Sequence, residues 1–145
     1  MKILKTRKLQ EIEELKALNT NESLFNDGLD DPKRHFEMLS IALPILKALN
    51  PESILTLGDT YGRDAYLYKK EIGCRVIASD LDADKLIFAK NQGYIDDFLE
   101  LDAENMHLDS DSVDIVVAKE TLHHWPRPML GVYEALRVAR KGAFS

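Results

Sequence analysis

The spacing of apolar and polar positions changes near residue 50. Before that point apolar residues recur every three or four positions, which is typical of helices with one buried face. This spacing predicts a surface helix over residues 5–19 and a second helix that begins at Pro32, is capped by Asp31 and runs towards Leu49. Pro44 lies inside the second helix and predicts a kink, because proline lacks the amide hydrogen that a helix uses.

After residue 50, short apolar runs alternate with helical segments, and the first and fourth runs have the apolar composition of strands buried on both faces. The predicted strands are residues 54–57, 75–79, 98–101, 113–118 and 142–144, and the predicted helices between them are 62–72, 82–91 and 127–138. This alternation implies right-handed crossovers. It predicts a Rossmann-like, doubly wound α/β fold with a mainly parallel sheet of about five strands in the order 3-2-1-4-5 and helices on both faces.

Composition narrows the classes of protein that fit. The 145 residues have the usual size of one domain, so we predict a single domain with a helical cap over residues 1–50 and an α/β core over 51–145. A formal charge of −6 argues against nucleic-acid partners. The single cysteine, Cys74, predicts a reducing, cytoplasmic location and no metal partner. No apolar run is long enough for a bilayer or an export signal, which predicts no membrane partner.

The first predicted strand runs into a loop bounded by Gly58 and Gly62. Ligands of doubly wound sheets bind beyond the carboxyl ends of the strands. The two glycines would let the backbone approach a ligand closely, and the amides at the start of the next helix would attract an anionic group. The same glycines also fit a tight turn from strand to helix.

Acidic residues follow the next two strands at the same predicted edge. Asp80 comes about twenty residues after the glycine loop, where a carboxylate can accept hydrogen bonds from both hydroxyls of a ribose. Asp82 is interpreted as a helix cap. Asp102 can accept from an exocyclic amine such as that of adenine, or can be a cap or a solvated acid. The fourth strand brings further groups to this edge: Lys119, Glu120, His123, His124 and Trp125.

Several segments occur together in a fixed order: ILTLG (54–58), GRDA (62–65), Asp80, LDAE (101–104), SVDIVV (112–117), LHHW (122–125) and LRVARKGA (136–143). In this order they resemble the successive motifs of class I S-adenosylmethionine-dependent methyltransferases, over about residues 53–145. The resemblance implies S-adenosylmethionine as cofactor and methyl transfer to a small-molecule acceptor. The predicted cofactor-binding residues are Gly58, Asp59, Gly62, Asp80, Leu81, Asp102, Ala103 and Lys119.

Within that set, the resemblance implies that the two glycines border the methionine part of the cofactor, that Asp80 holds the ribose and that Asp102 flanks the adenine with Ala103. The chain departs from the family where Thr56 replaces a usual acid and Thr60 a usual glycine. A β-branched residue is costly if that position needs a positive φ. Asp59 is a candidate to replace the missing acid near the ammonium group of the cofactor.

Methyl transfer from a sulfonium is an in-line displacement that requires alignment and exclusion of water, with no obligatory nucleophile or metal. His123 and His124 are candidate bases for a hydroxyl or amine acceptor, with His124 preferred because it adjoins Trp125. Both histidines can instead be packing residues. Tyr61 would either touch a ligand or block it. The predicted acceptor side lies in the amino-terminal segment, with Phe25, His35, Phe36 and Met38 as candidates.

Two other functions remain open from the residues alone. One is a noncatalytic cofactor-binding or scaffold module derived from the methyltransferase fold. The other is a nicotinamide-dependent oxidoreductase domain, against which the glycine spacing argues because it does not fit Gly-x-Gly-x-x-Gly. The methyl acceptor, the natural extent of the chain and the oligomeric state stay open.

Overall fold

The computed structural model describes residues 32–145, and within its first helix the side chains from Glu37 onward except Leu39. The predicted helix over residues 5–19, Phe25, and the side chains of His35 and Phe36 lie outside this description. Contacts divide the chain into two compact units, Met1–Met38 and Leu39–Ser145, and the second contains the whole sheet. One domain over residues 1–145 stays a prediction.

Helices and strands alternate along the described chain. In order they are α1 (Pro32–Leu49), β1 (Ser53–Thr56), α2 (Arg63–Ile72), β2 (Arg75–Asp80), α3 (Asp84–Asn91), β3 (Asp97–Glu100), β4 (Val113–Val117), a 3-10 helix (Leu122–His124), α4 (Pro128–Val138) and β5 (Ala139–Phe144). Pro44 lies within α1. None of the helices described over residues 32–145 is both long and apolar enough to cross a membrane.

The five strands form one sheet in the order β3-β2-β1-β4-β5, and every neighbouring pair is parallel. The predicted fold class and strand order are therefore confirmed. The chain builds outward from β1 to β3 and then returns to place β4 on the other side of β1. With right-handed crossovers, this reversal puts α2 and α3 on one face and α4 on the other. Helices α2 and α3 pack against β1, β2 and β3, and α4 packs against β4 and β5.

The two central strands form the centre of the core. Ile54 and Leu55 of β1 and Ile115 and Val116 of β4 have no exposed surface. This agrees with the burial on both faces that their apolar composition predicts, since a parallel sheet is covered by helices on each side. Burial of these branched side chains ties β1 to β4 and fixes the carboxyl ends of both strands at one edge.

Strand β5 begins earlier than predicted, at Ala139 instead of residue 142. The charged residues Arg140 and Lys141 were excluded from the predicted strand, but their side chains reach the buried carboxylate of Asp114 on β4 at 3.5 and 3.2 Å. The ladder from Val113 to β5 contains a bulge. Charge pairing with β4 therefore extends the strand through residues whose polarity is typical of a loop.

Asp114 anchors the amino-terminal edge of the sheet. Its carboxylate accepts a hydrogen bond from the Glu52 amide at 2.8 Å. This bond is the main cause that holds the pKa of the Asp114 carboxyl below its usual range, and Lys141 and Arg140 lower it further. A lowered pKa in the folded state means that this group stabilises the fold above its ordinary pKa of 3.8, and that the stabilisation is lost as the pH falls through the lower value.

We predict that Asp114→Asn lowers the free energy of unfolding at neutral pH by about 1.5 to 3 kcal/mol, the scale for hydrogen bonds to a charged group. The difference from the unsubstituted chain should shrink as the pH falls below 3.8, because the native carboxyl then becomes neutral as well. Urea denaturation at several pH values measures both effects. Asp109→Asn, at an exposed position, is the control and should change stability little; equal effects of the two substitutions would contradict this role of Asp114.

Candidate functional site

The turn between β1 and α2 has a glycine in the left-handed region at each end, Gly58 with φ 66° and Gly62 with φ 73°. A Cβ atom on Gly58 would overlap the hydroxyl of Thr121, which follows β4. A Cβ on Gly62 would lie 3.1 Å from a methyl group of Ile95. Packing within the protein therefore requires glycine at position 58, whereas at position 62 the positive φ and a tight contact favour it. The approach of both glycines to a ligand stays a prediction.

Asp59 lies inside this turn and is only 5% exposed. Its carboxylate accepts hydrogen bonds from the Thr56 hydroxyl at 2.9 Å and from the amides of Asp64 and Ala65 at 3.1 and 2.8 Å. Its own amide donates to the Ser79 carbonyl of β2 at 2.9 Å. Two of the amides at the start of α2, which were predicted to attract an anionic group of a ligand, therefore bind the carboxylate of Asp59 instead.

Asp80 ends β2 directly beside this turn. One oxygen of its carboxylate accepts from the Thr60 hydroxyl at 3.2 Å, and the other accepts from the Asp82 amide at 3.1 Å. Thr60 is not among the residues with positive φ, so it fits the turn without the backbone strain that a glycine position would impose. Asp82 accepts from the amide of Asp84, the first residue of α3, at 3.0 Å, as expected for a residue that caps this helix.

Tyr61 is half-buried, and two cations lie 4.7 Å from the centre of its ring. Arg63 approaches from the start of α2 and Lys85 from α3. Such contacts of a cation with an aromatic ring are attractive, so the ring links the turn to α3. The structure therefore gives Tyr61 a role in packing, while a contact with a ligand stays a prediction.

The segment after β3 reaches the same edge, because the Leu101 amide donates to the Asp80 carbonyl at 3.0 Å. Asp102 is exposed, and one of its carboxylate oxygens accepts from the Glu104 amide at 2.8 Å. Ala103 is buried. Glu104 in turn accepts from the backbone amide and the guanidinium of Arg127 at 2.6 and 2.8 Å. This pair joins the segment after β3 to the one that follows the 3-10 helix.

The His-His-Trp segment forms the 3-10 helix and its end. Both histidines are exposed, and their ring centres are 4.0 Å apart. Trp125 instead packs on Gly131 of α4, where a Cβ atom would overlap its ring. The structure thus places His123 and His124 at the surface and uses the tryptophan to hold their segment against α4. Leu81, after β2, is 72% exposed.

A group of charges lies behind the turn at the end of β4. Lys119 is 3.8 Å from Asp64 and 3.7 Å from Glu120. Burial and then repulsion from Asp59 raise the pKa of the Asp64 carboxyl to about 8, and Lys119 offsets only part of this rise. Burial is also the main cause that raises the pKa of Asp59, against the lowering effect of its three donors. The buried pair therefore retains a proton near neutral pH.

Three residues of this site are not among the predicted site residues, although Thr56 and Asp64 lie within segments that resemble the family. Thr121 packs on Gly58, Thr56 donates to Asp59, and Asp64 shares the buried charge. Each is an ordinary residue for its position in a strand, a loop or the first turn of a helix. Their roles depend on neighbours that are distant in the sequence or face the same interior, which spacing alone does not reveal.

The sequence of residues 55–145 matches the family described as Methyltransferase domain. No curated protein is significantly similar to the chain. A candidate methyltransferase from Bacillus halodurans C-125 is 29% identical with a TM-score of 0.62, over 74% of this chain and 48% of that one. YcgJ from Bacillus subtilis is 22% identical with a TM-score of 0.63, over 72% and 47%.

A SAM-dependent methyltransferase from Aquifex aeolicus also has this fold, with 22% identity and a TM-score of 0.58 over 88% of this chain and 66% of that one. The chain spans about half the length of the two Bacillus structures.

We predict that the raised pKa of Asp64 makes the fold less stable as the pH rises. The folded chain binds a proton that the unfolded chain releases near pH 3.8, so stability is present at low pH and is lost up to about pH 8. One such proton corresponds to at most about 1.4 kcal/mol per pH unit. Asp64→Asn, which stays neutral, should flatten the unfolding free energy between about pH 5 and pH 8.

Urea denaturation across this pH range measures the slope. Asp96→Asn, at an exposed position, should retain the slope of the unsubstituted chain. Parallel profiles for Asp64→Asn and the unsubstituted chain would show that Asp64 is ionised in the folded protein.

Proposed function

The chain belongs to the methyltransferase-domain family, and from this premise we propose that it transfers a methyl group from S-adenosylmethionine to a small-molecule acceptor. S-adenosylmethionine, the cofactor predicted from the sequence, is the cofactor that the family supports. The observation that carries the proposal is the carboxylate of Asp80, which ends β2 beside β1, where the strand order reverses. Ligands of doubly wound sheets bind at this point.

The hydrogen-bonding capacity of Asp80 fits a ribose. An ionised carboxylate has about four acceptor positions, two on each oxygen. The Thr60 hydroxyl uses one oxygen and the Asp82 amide uses the other. One acceptor position on each oxygen is thus left for a hydroxyl of the ribose. Asp80 is half-buried, so its carboxylate is both held by the protein and accessible to a ligand.

The other predicted cofactor-binding residues differ in exposure, and each is assigned to a part of the cofactor. Asp102 is exposed and would accept from the amine of adenine, beside the buried Ala103. Gly58 and Gly62 would border the methionine part, and the exposed Leu81 would cover the ribose side. Lys119 and Asp59 would act on the charged groups of the methionine part from behind the turn, since both side chains are largely buried.

S-adenosylmethionine, when bound, would supply a methyl group that passes by in-line displacement from its sulfonium to the oxygen or nitrogen of the acceptor, with the sulfur leaving as a neutral thioether. The residues of the chain then have to orient the donor and the acceptor and exclude water. His124 is the proposed base, and a ring nitrogen of His124 would take the proton of a hydroxyl or amine acceptor. His123 is the second candidate. The exposure of both rings supports access by an acceptor.

A small-molecule acceptor is supported by the charge of the chain. Its formal charge is −6, and acidic residues Asp80, Asp82 and Asp102 line the edge of the sheet. Phosphate backbones are repelled by such a surface. The sulfonium and ammonium groups of the cofactor are cations and favour it.

We predict that Asp80→Ala weakens S-adenosylmethionine binding by about 1 to 3 kcal/mol, because hydrogen bonds between a charged acceptor and the ribose are lost. Asp82→Ala is the matched control, since this substitution keeps the amide that donates to Asp80. It should lower stability and leave affinity unchanged. Isothermal titration calorimetry measures the S-adenosylmethionine affinity of both variants. Titration of the chain with NAD should give no binding.

Equal losses of affinity for the two variants would place the ribose elsewhere. An unsubstituted chain that binds no S-adenosylmethionine would contradict the proposed function and favour a noncatalytic scaffold.

A further inference from the structure

We propose that Asp59 and Thr60 are positioning residues, which hold the Asp80 carboxylate in the orientation that receives a ribose. This inference rests on the proposed function. It assigns no contact with the ligand to either residue. Asp59 fixes the backbone of the turn through its hydrogen bonds, and the Thr60 hydroxyl donates a hydrogen bond to the Asp80 carboxylate.

Asp59 connects three elements that meet at the centre of the sheet. Its carboxylate binds the hydroxyl of Thr56 on β1 and the first amides of α2, and its amide binds Ser79 on β2. The Ser79 hydroxyl returns to the Thr56 carbonyl at 2.6 Å. The hydrogen bonds that involve the side chains of Asp59 and Ser79 are buried. The backbone hydrogen bond between Asp59 and Ser79 joins two buried residues. The backbone of residue 59 is therefore fixed relative to β1, β2 and α2 together.

The residues that follow Asp59 and Ser79 in the chain, Thr60 and Asp80, contact each other. Thr60 follows Asp59 in the turn, and Asp80 follows Ser79 in β2. Because the residues 59 and 79 are hydrogen-bonded to each other at 2.9 Å, residues 60 and 80 are brought side by side. The hydroxyl of Thr60 then lies 3.2 Å from one oxygen of Asp80, while the Asp82 amide holds the other. Rotation of the carboxylate is restrained at both oxygens.

This restraint serves binding more than folding. Thr60 is exposed, and a hydrogen bond at the surface contributes little to stability because water can replace it. A carboxylate that is already oriented loses less rotational freedom when the ribose binds. The burial and number of contacts of Asp59 indicate that its substitution affects both stability and binding.

The central test is a double-mutant cycle on Thr60 and Asp80, with S-adenosylmethionine affinity measured by calorimetry. Thr60→Val, which keeps the shape of the side chain and removes the hydroxyl, should weaken binding about three- to tenfold, the range for a typical hydrogen bond. Thr60→Ser keeps the hydroxyl and should retain nearly full affinity. In the Asp80→Ala background, Thr60→Val should have no further effect.

Asp59→Asn tests the fixed point. This substitution keeps the size of the side chain and replaces one acceptor oxygen with a donor, which faces the donors of Thr56, Asp64 or Ala65. It should lower the urea midpoint and also weaken S-adenosylmethionine binding about tenfold in the fraction that remains folded. Thr56→Ser, which keeps the hydroxyl donor, is the matched control and should preserve affinity.

The outcomes separate the two proposals. If the unsubstituted chain binds and Thr60→Val binds equally well, or if Thr60→Val and Asp80→Ala weaken binding independently, the positioning role is wrong and the proposed function stands. A destabilised Asp59→Asn variant with unchanged affinity would reduce Asp59 to a structural residue. If Asp59→Asn does not fold, the Thr60 cycle decides. No binding by the unsubstituted chain would overturn both proposals.

Discussion

A buried carboxylate costs several kcal/mol unless donors surround it, and the centre of this fold is organised by that constraint on Asp59. The donors come from the end of β1 and the first turn of α2. The same residue binds β2 through its amide. Loss of this carboxylate would leave amides at the start of α2 and the Thr56 hydroxyl without their partner.

Buried carboxyl groups have opposite pKa shifts at the two edges of the sheet. At the amino-terminal edge, Asp114 receives an amide and two cations, and its pKa is lowered. At the carboxyl edge, Asp59 and Asp64 lie together behind the turn, Lys119 is 3.8 Å from Asp64, and the pKa of each acid is raised. The first arrangement contributes stability. The second makes the fold less stable as the pH rises, because the folded pair holds a proton that the unfolded chain releases.

The turn departs from the usual family pattern without losing its geometry. Thr60, which replaces a usual glycine, has no positive φ and uses its hydroxyl on Asp80. Thr56, which replaces a usual acid, donates to Asp59 three residues later. The two departures are therefore complementary to other residues of the site. The turn thus keeps its geometry through contacts within the protein.

The sequence by itself determined the class of fold and the strand order, because alternating apolar runs and helical segments permit few arrangements of a parallel sheet. It also placed Asp80 at the end of β2 and Asp102 after β3, since strand ends are visible in the pattern. Only the tertiary structure decided what each polar residue does. Asp59 is buried and binds the turn to its neighbours, and Gly58 packs against Thr121. Arg140 and Lys141 belong to β5 and form ion pairs with Asp114. These roles depend on contacts between residues that are far apart in the chain, and on burial, which sets the strength of charge interactions.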